Sequence, residues 1–81
     1  MSVDYKKLVT SIIAPLVLNP SDLLVSVEDK DDRVYIKVLV NEADLGRVLG
    51  RAGRTATAIR TIVYAASSKD GVRVMLEFDH N

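Results

Sequence analysis

Val48-Leu49-Gly50-Arg51-Ala52-Gly53-Arg54 is the stretch on which the reading of this sequence turns. Two glycines stand three positions apart between two segments of helical periodicity. A link this tight between helices needs backbone angles that a Cβ hinders, and glycine supplies them. Geometry alone is therefore one sufficient reading of the pair. A second reading adds chemistry: bare backbone lets a phosphate approach the main-chain N–H groups at the start of the following helix, where aligned peptide dipoles leave partial positive charge. Arg51 and Arg54 would then bring full charges. The spacing excludes two other phosphate loops. A P-loop needs four residues between its glycines followed by Lys and Ser or Thr, and a dinucleotide fingerprint needs G-x-G-x-x-G directly after a strand. Here a helix precedes the glycines, and the first glycine pair is missing.

The flanks define what the bend connects. Asn41 can accept hydrogen bonds at a helix N-cap, and Asp44 follows three positions later near the positive end of the dipole, which predicts a short helix over Glu42 to Leu49 that ends at Gly50. On the other side, Thr55, Ile59, Ile62, Val63 and Ala66 share one face of a second helix running from Arg54 to Ser67. Ser67-Ser68 reads as its end and Lys69-Asp70-Gly71 as a turn.

Strands lie further out. Leu23 to Glu28 alternates with Leu23, Val25 and Val27 on one side, and Arg33 to Val40 alternates with Val34, Ile36, Val38 and Val40 on one side. Asp29-Lys30-Asp31-Asp32 between them is short enough only for a hairpin loop. Val72 to Phe78 is a third alternating segment, and the tail Asp79-His80-Asn81 is expected to fray. At the N-terminal end, Tyr5, Leu8, Val9, Ile12, Ile13 and Leu16 form an amphipathic stripe over Val3 to Leu18. Pro15 should weaken its last turn, and Asn19-Pro20 should stop it. The element order is α-β-β-α-α-β, an α+β arrangement with a half-buried sheet.

Composition limits the function. The chain has 81 residues, enough for one core and no separate pocket domain, so residues 1–81 are read as a single unit. Apolar residues make up 48% and charged residues 27%, which is ordinary for a globular chain. No cysteine is present, which removes disulfides, thiolate metal sites and thiol catalysis. His80 is the only histidine, so no catalytic dyad or triad can be assembled, and no enzyme, metal or cofactor is expected. Asp29, Asp31 and Asp32 lack the glycine and closing glutamate of a calcium loop. With no signal segment and no apolar run approaching the roughly 18 residues of a membrane span, the expected location is the cytoplasm. The net charge is zero but unevenly laid out. Seven acids and three bases lie between Asp22 and Asp44, whereas Arg47, Arg51, Arg54 and Arg60 occupy the next stretch with no acid among them. Such a run can focus a positive potential that the total conceals.

The segment Leu45 to Arg60 resembles the core of KH domains, whose signature is an apolar pair followed by G-x-x-G between two helices, and Val48-Leu49-Gly50-Arg51-Ala52-Gly53 matches it. The element order is similar to the type II form, and the resemblance, covering almost the whole chain, is to the small bacterial single-KH proteins of the KhpA type. Pro15 in the first helix is a departure from that family. The resemblance implies a three-stranded sheet with helices packed on one face. It also implies a groove that clamps about four nucleotides of single-stranded RNA by their backbone.

By position, Gly50, Ala52 and Gly53 would admit the strand, Arg51 and Arg54 would meet phosphates, and Val48, Leu49 and the second strand would form an apolar floor. Arg47 and Arg60 are further candidates, weighed against ordinary solvated surface residues, and Lys37 and Tyr35 are candidates for the border. If about four arginines make contacts, the log-log salt slope for a single strand should be roughly −3. The implied role is a non-catalytic RNA chaperone or post-transcriptional regulator. The alternative is an interaction module whose loop and second helix form a homodimer or pair with a larger Jag-type KH protein.

Overall fold

The computed structural model describes residues 3–81. Its elements run α1 (Tyr5–Ile13), β1 (Leu24–Lys30), β2 (Arg33–Val40), α2 (Glu42–Leu49), α3 (Arg54–Asp70) and β3 (Arg73–His80). This is the α-β-β-α-α-β order read from the sequence, and it forms an α+β fold. The sheet order is β1-β2-β3, with β1 antiparallel and β3 parallel to the central β2. The parallel pair follows from topology, because α2, the bend and α3 form the crossover that returns the chain alongside β2.

Val34, Ile36, Val38 and Val40 all point to one face of β2 and are buried there with Val25 of β1 and Val74 and Leu76 of β3. Val9 and Ile13 of α1, Val48 of α2 and Ile59 and Val63 of α3 close over them in one apolar cluster. The opposite face of the sheet carries Arg33, Tyr35 and Lys37 in solvent.

Several boundaries differ from the sequence expectation for identifiable reasons. The first helix starts at Tyr5, where the Asp4 carboxylate accepts from the Lys7 amide at 3.1 Å, and tightens after Ile13 into a 3-10 turn over Ala14–Leu16. Pro15 has no N–H to give to the preceding turn, so the weakened end takes this form. The hairpin loop is only Asp31-Asp32, both at positive φ, the backbone of a primed two-residue turn; β1 therefore runs on to Lys30. The second long helix extends three residues past Ser67 to Asp70 and ends on Gly71 at φ 76°, whose amide and that of Val72 satisfy the last carbonyls. The Asp70 carboxylate is itself used, accepting from the Tyr5 hydroxyl at 3.1 Å and the Val3 amide at 3.2 Å. Burial and this carboxylate push the Tyr5 hydroxyl up to about 12.

The tail does not fray. The parallel ladder continues to Val40 and His80, the Asn81 amide donates to the Val40 carbonyl at 2.9 Å, and its side chain donates to the Asp22 carbonyl at 2.9 Å. Among the described residues no helix is long and apolar enough to cross a membrane.

Candidate nucleic-acid interface

The two-glycine bend is a 3-10 turn over Arg51–Gly53 set between α2 and α3. Three of its residues hold positive φ: Gly50 at 75°, Ala52 at 55° and Gly53 at 74°. The Gly50 backbone, with ψ 175°, lies in a region that only glycine occupies comfortably. A Cβ there would run into Thr55, meeting its Cβ at 2.7 Å and its backbone nitrogen at 2.8 Å as well as its hydroxyl. At Gly53 an added Cβ would meet nothing within 4 Å, so only its φ favours glycine.

The bend stands on the surface: Arg51, Ala52 and Arg54 are exposed, and Gly50 and Gly53 are half-buried. Part of its backbone is already committed. The Gly50 amide donates to the Gly46 carbonyl at 2.9 Å, the Gly53 amide to the Gly50 carbonyl at 3.2 Å, and the Arg54 amide to the Arg51 carbonyl. Among the described residues the amides of Arg51 and Ala52 have no such partner, so they are the donors the bend can offer. The first turn of α3 contains no acid, which leaves the positive end of this 17-residue helix uncompensated where the bend meets it. Its Thr57 hydroxyl donates to the Gly53 carbonyl at 3.0 Å, which occupies that acceptor.

The position of α2 depends on a residue whose role the sequence reading missed. Asp44 is wholly buried, and its carboxylate accepts from the Leu18 amide at 3.0 Å, the Asn19 amide at 3.0 Å and the Asn19 side chain at 3.1 Å. It ties the segment after α1 to the start of α2. Burial pushes the Asp44 carboxyl up, but those three donors and the nearby Arg47 charge outweigh it and hold it below the usual carboxylate range. One signal in the sequence could have found it. Asp44 sits four residues before Val48, on the stripe of α2 that faces the core.

The remaining expected site residues separate into groups. Arg47 is exposed in the last turn of α2, on the same short stretch as the bend. Leu49 is half-buried beside Gly50. Val48 is fully buried in the core, because the helix turns it toward the sheet, and it does not line a surface. Arg60 is half-buried and engaged: its Nε donates to the Leu76 carbonyl at 3.4 Å, and its guanidinium lies 5.1 Å from the centroid of the Phe78 ring. It braces α3 on β3. Lys37 and Tyr35 project from the solvent face of the sheet, opposite the helical layer that carries the bend, so they do not border it.

Comparison with known proteins finds matches over most of the chain. The family model described as "KhpA/KhpB, KH domain" matches residues 6–78. A relative from Listeria monocytogenes named "RNA-binding protein KhpA" is 43% identical over 72 residues, covering 89% of this chain and 95% of the relative. A protein of the same name from Bacillus subtilis is 40% identical over 70 residues, covering 86% of each chain. One from Streptococcus pneumoniae is 36% identical over 73 residues, covering 89% of this chain and 92% of the relative.

Proposed function

Because this chain belongs to the KhpA/KhpB KH-domain family, we propose that it is a non-catalytic cytoplasmic protein that binds single-stranded RNA at the Gly50 to Arg54 bend, as a chaperone or post-transcriptional regulator. The observation that carries this reading is the exposed bend itself: two unpaired amides, Arg51 and Arg54 at its rim, and a glycine that leaves the backbone bare. A sugar-phosphate strand laid across it meets donors and charge without a side chain in the way. Specificity is loose, because backbone contacts carry no sequence information.

The double substitution Arg51→Asp with Ala52→Asp tests the bend. It places two carboxylates against the phosphate while leaving both glycines, and should weaken binding to an unstructured oligonucleotide by at least about tenfold with an unchanged melting temperature. Binding as tight as that of the unaltered protein would refute the site. Since Arg60 is committed to Leu76 and Phe78, three arginines remain for phosphates. The log-log salt slope should therefore be about −2 rather than about −3.

A second reading, pairing of two copies through α3, has its own support. Ile62 was expected on the inner face, yet Ala56, Ile59, Val63 and Ser67 take the core side of α3, leaving Ile62 51% exposed with Ala58 and Ala65 beside it on the outer face. Pairing would raise the affinity of a weak groove through effective concentration. Light scattering after size exclusion should report a dimer that Ile62→Glu converts to a monomer. A monomer at all concentrations would dismiss the homodimer; a Jag-type KH partner would call for a binding assay with that protein.

A further inference from the structure

The helices cover one face of the sheet and leave the other open. The register arranges that open face in rows across the three strands. Lys30, Arg33 and Arg73 form one row, and Glu28, Tyr35 and Met75 the next. Ser26, Lys37 and Glu77 follow. Tyr35 is 37% exposed and Met75 50% exposed at the middle of the sheet. With Glu28, Lys37 and Glu77 they line a shallow depression of about 680 Å³, and Tyr64 of α3 stands at its rim. Two of the three tyrosines of the chain therefore meet at one surface on the far side from the Gly50 bend.

Like charges placed directly opposite on neighbouring strands destabilise a sheet. A three-cation row that spans every strand carries that cost, offset at one end by Asp31 and Asp32 of the adjoining turn and by Glu28 of the next row, and a phosphate chain lying along its Arg33 and Arg73 end would remove what is left. The adjoining row supplies what a nucleobase needs. Tyr35 offers an aromatic face for stacking and Met75 an apolar neighbour, while Glu28 and Glu77 are acceptors. A carboxylate accepts from the exocyclic amine of cytosine or adenine, whereas uracil has no such amine to give.

We propose that this open face is a second contact for single-stranded RNA, separate from the bend, with an amine-bearing base stacked on Tyr35 and its phosphates on the Lys30, Arg33 and Arg73 row. The proposal rests on the reading of the chain as an RNA-binding protein, but not on the bend being where RNA binds. Two surfaces on opposite sides let one protein hold a strand at two points, or hold two strands, which suits a protein that remodels RNA more than one that only caps it.

The test is titration of the isotopically labelled full chain with oligocytidylate and oligouridylate of about ten nucleotides, long enough to exceed the roughly four a KH groove clamps. The amides of β2 and β3 around Tyr35 and Met75 should shift with oligocytidylate and move less with oligouridylate. Tyr35→Ser should weaken oligocytidylate binding roughly tenfold, and Tyr35→Phe, which keeps the ring, should restore it. Arg73→Gln on the edge strand gives an independent route and should shallow the salt slope by about 0.7. Unmoved sheet amides with a responding bend would overturn this proposal and leave the bend standing. A responding sheet with a silent bend would do the reverse. Concentration-dependent shifts of the same face without oligonucleotide would overturn it in favour of self-association.

Discussion

Replacing Gly50 with alanine should lower the stability of the fold by about 3 kcal/mol or more. Two costs act together. The φ of 75° and ψ of 175° place the residue where side chains are strained by about 1–3 kcal/mol, and the new Cβ cannot relieve the contact because one of the atoms it meets is the Thr55 backbone nitrogen at 2.8 Å. Moving Thr55 would mean moving the start of α3. Domains of this size hold only about 0.05–0.15 kcal/mol per residue, so the loss is a large share of the total. Thermal unfolding followed by circular dichroism should show the midpoint falling by roughly 12–24 °C. Gly53→Ala is the matched comparison. Its φ is almost the same, 74°, but nothing lies within 4 Å of the added atom, so it should lose only about 1–2 kcal/mol. If the two variants melt alike, the close approach of Gly50 to Thr55 does not govern the bend.

Asp44→Ala should be comparably damaging by a different route. It removes the acceptor for the Leu18 and Asn19 amides and leaves them facing a buried space, where unmet donors are costly. The midpoint should fall by roughly 10 °C or more. Asp44→Asn keeps the shape but brings an amide where only acceptors are wanted, so it should not rescue the protein. The same carboxyl predicts an acid limb. Its pKa in the fold lies below the ordinary value of 3.8, so folding favours the ionised form. The stability it contributes is complete above the unfolded value and drains away as the pH falls through the lower, folded one. The unaltered protein should therefore lose stability below about pH 4 more steeply than Asp44→Asn does. Equal slopes for the two would show that other carboxyls dominate the acid transition.

What could be read from the chain and what could not follow from the range of the interactions involved. The period-two valines of β2 and the Gly50 and Gly53 pair are local patterns, and the element order and the bend came directly from them. Asp44 is also local, but its side chain serves Leu18 and Asn19, about 25 residues earlier, and no spacing rule reports such a partner. The face of α3 is legible in part: Ile59 and Val63 are buried as the periodicity predicts, but weighting apolar residues over small and polar ones puts Ile62 on the wrong side. Ala56 and Ser67 fill the core side, with the Ser67 hydroxyl donating to the Tyr64 carbonyl at 3.0 Å, and Ile62 is left outside. Arg60 reads from the sequence as a further candidate beside Arg47, and only packing puts the β3 carbonyl at Leu76 within its reach. Lys37 could have been separated from the bend by inspection, since the alternation sets it on the face opposite Val34, Ile36, Val38 and Val40, and the helices must cover that apolar face.

The crossover from β2 to β3 has a kinetic consequence. Arg33 pairs with Arg73 in the parallel ladder, forty positions along the chain, so the central strand cannot gain its second neighbour until α2, the bend and α3 have all been brought into place. Contacts this distant in sequence are slow to make, because the intervening chain must be ordered before they repay it. An oligonucleotide seated on the bend, as proposed above, would hold a feature that must be in place before this ladder closes, so its signature should be a faster approach to the native state with less change in the lifetime of that state.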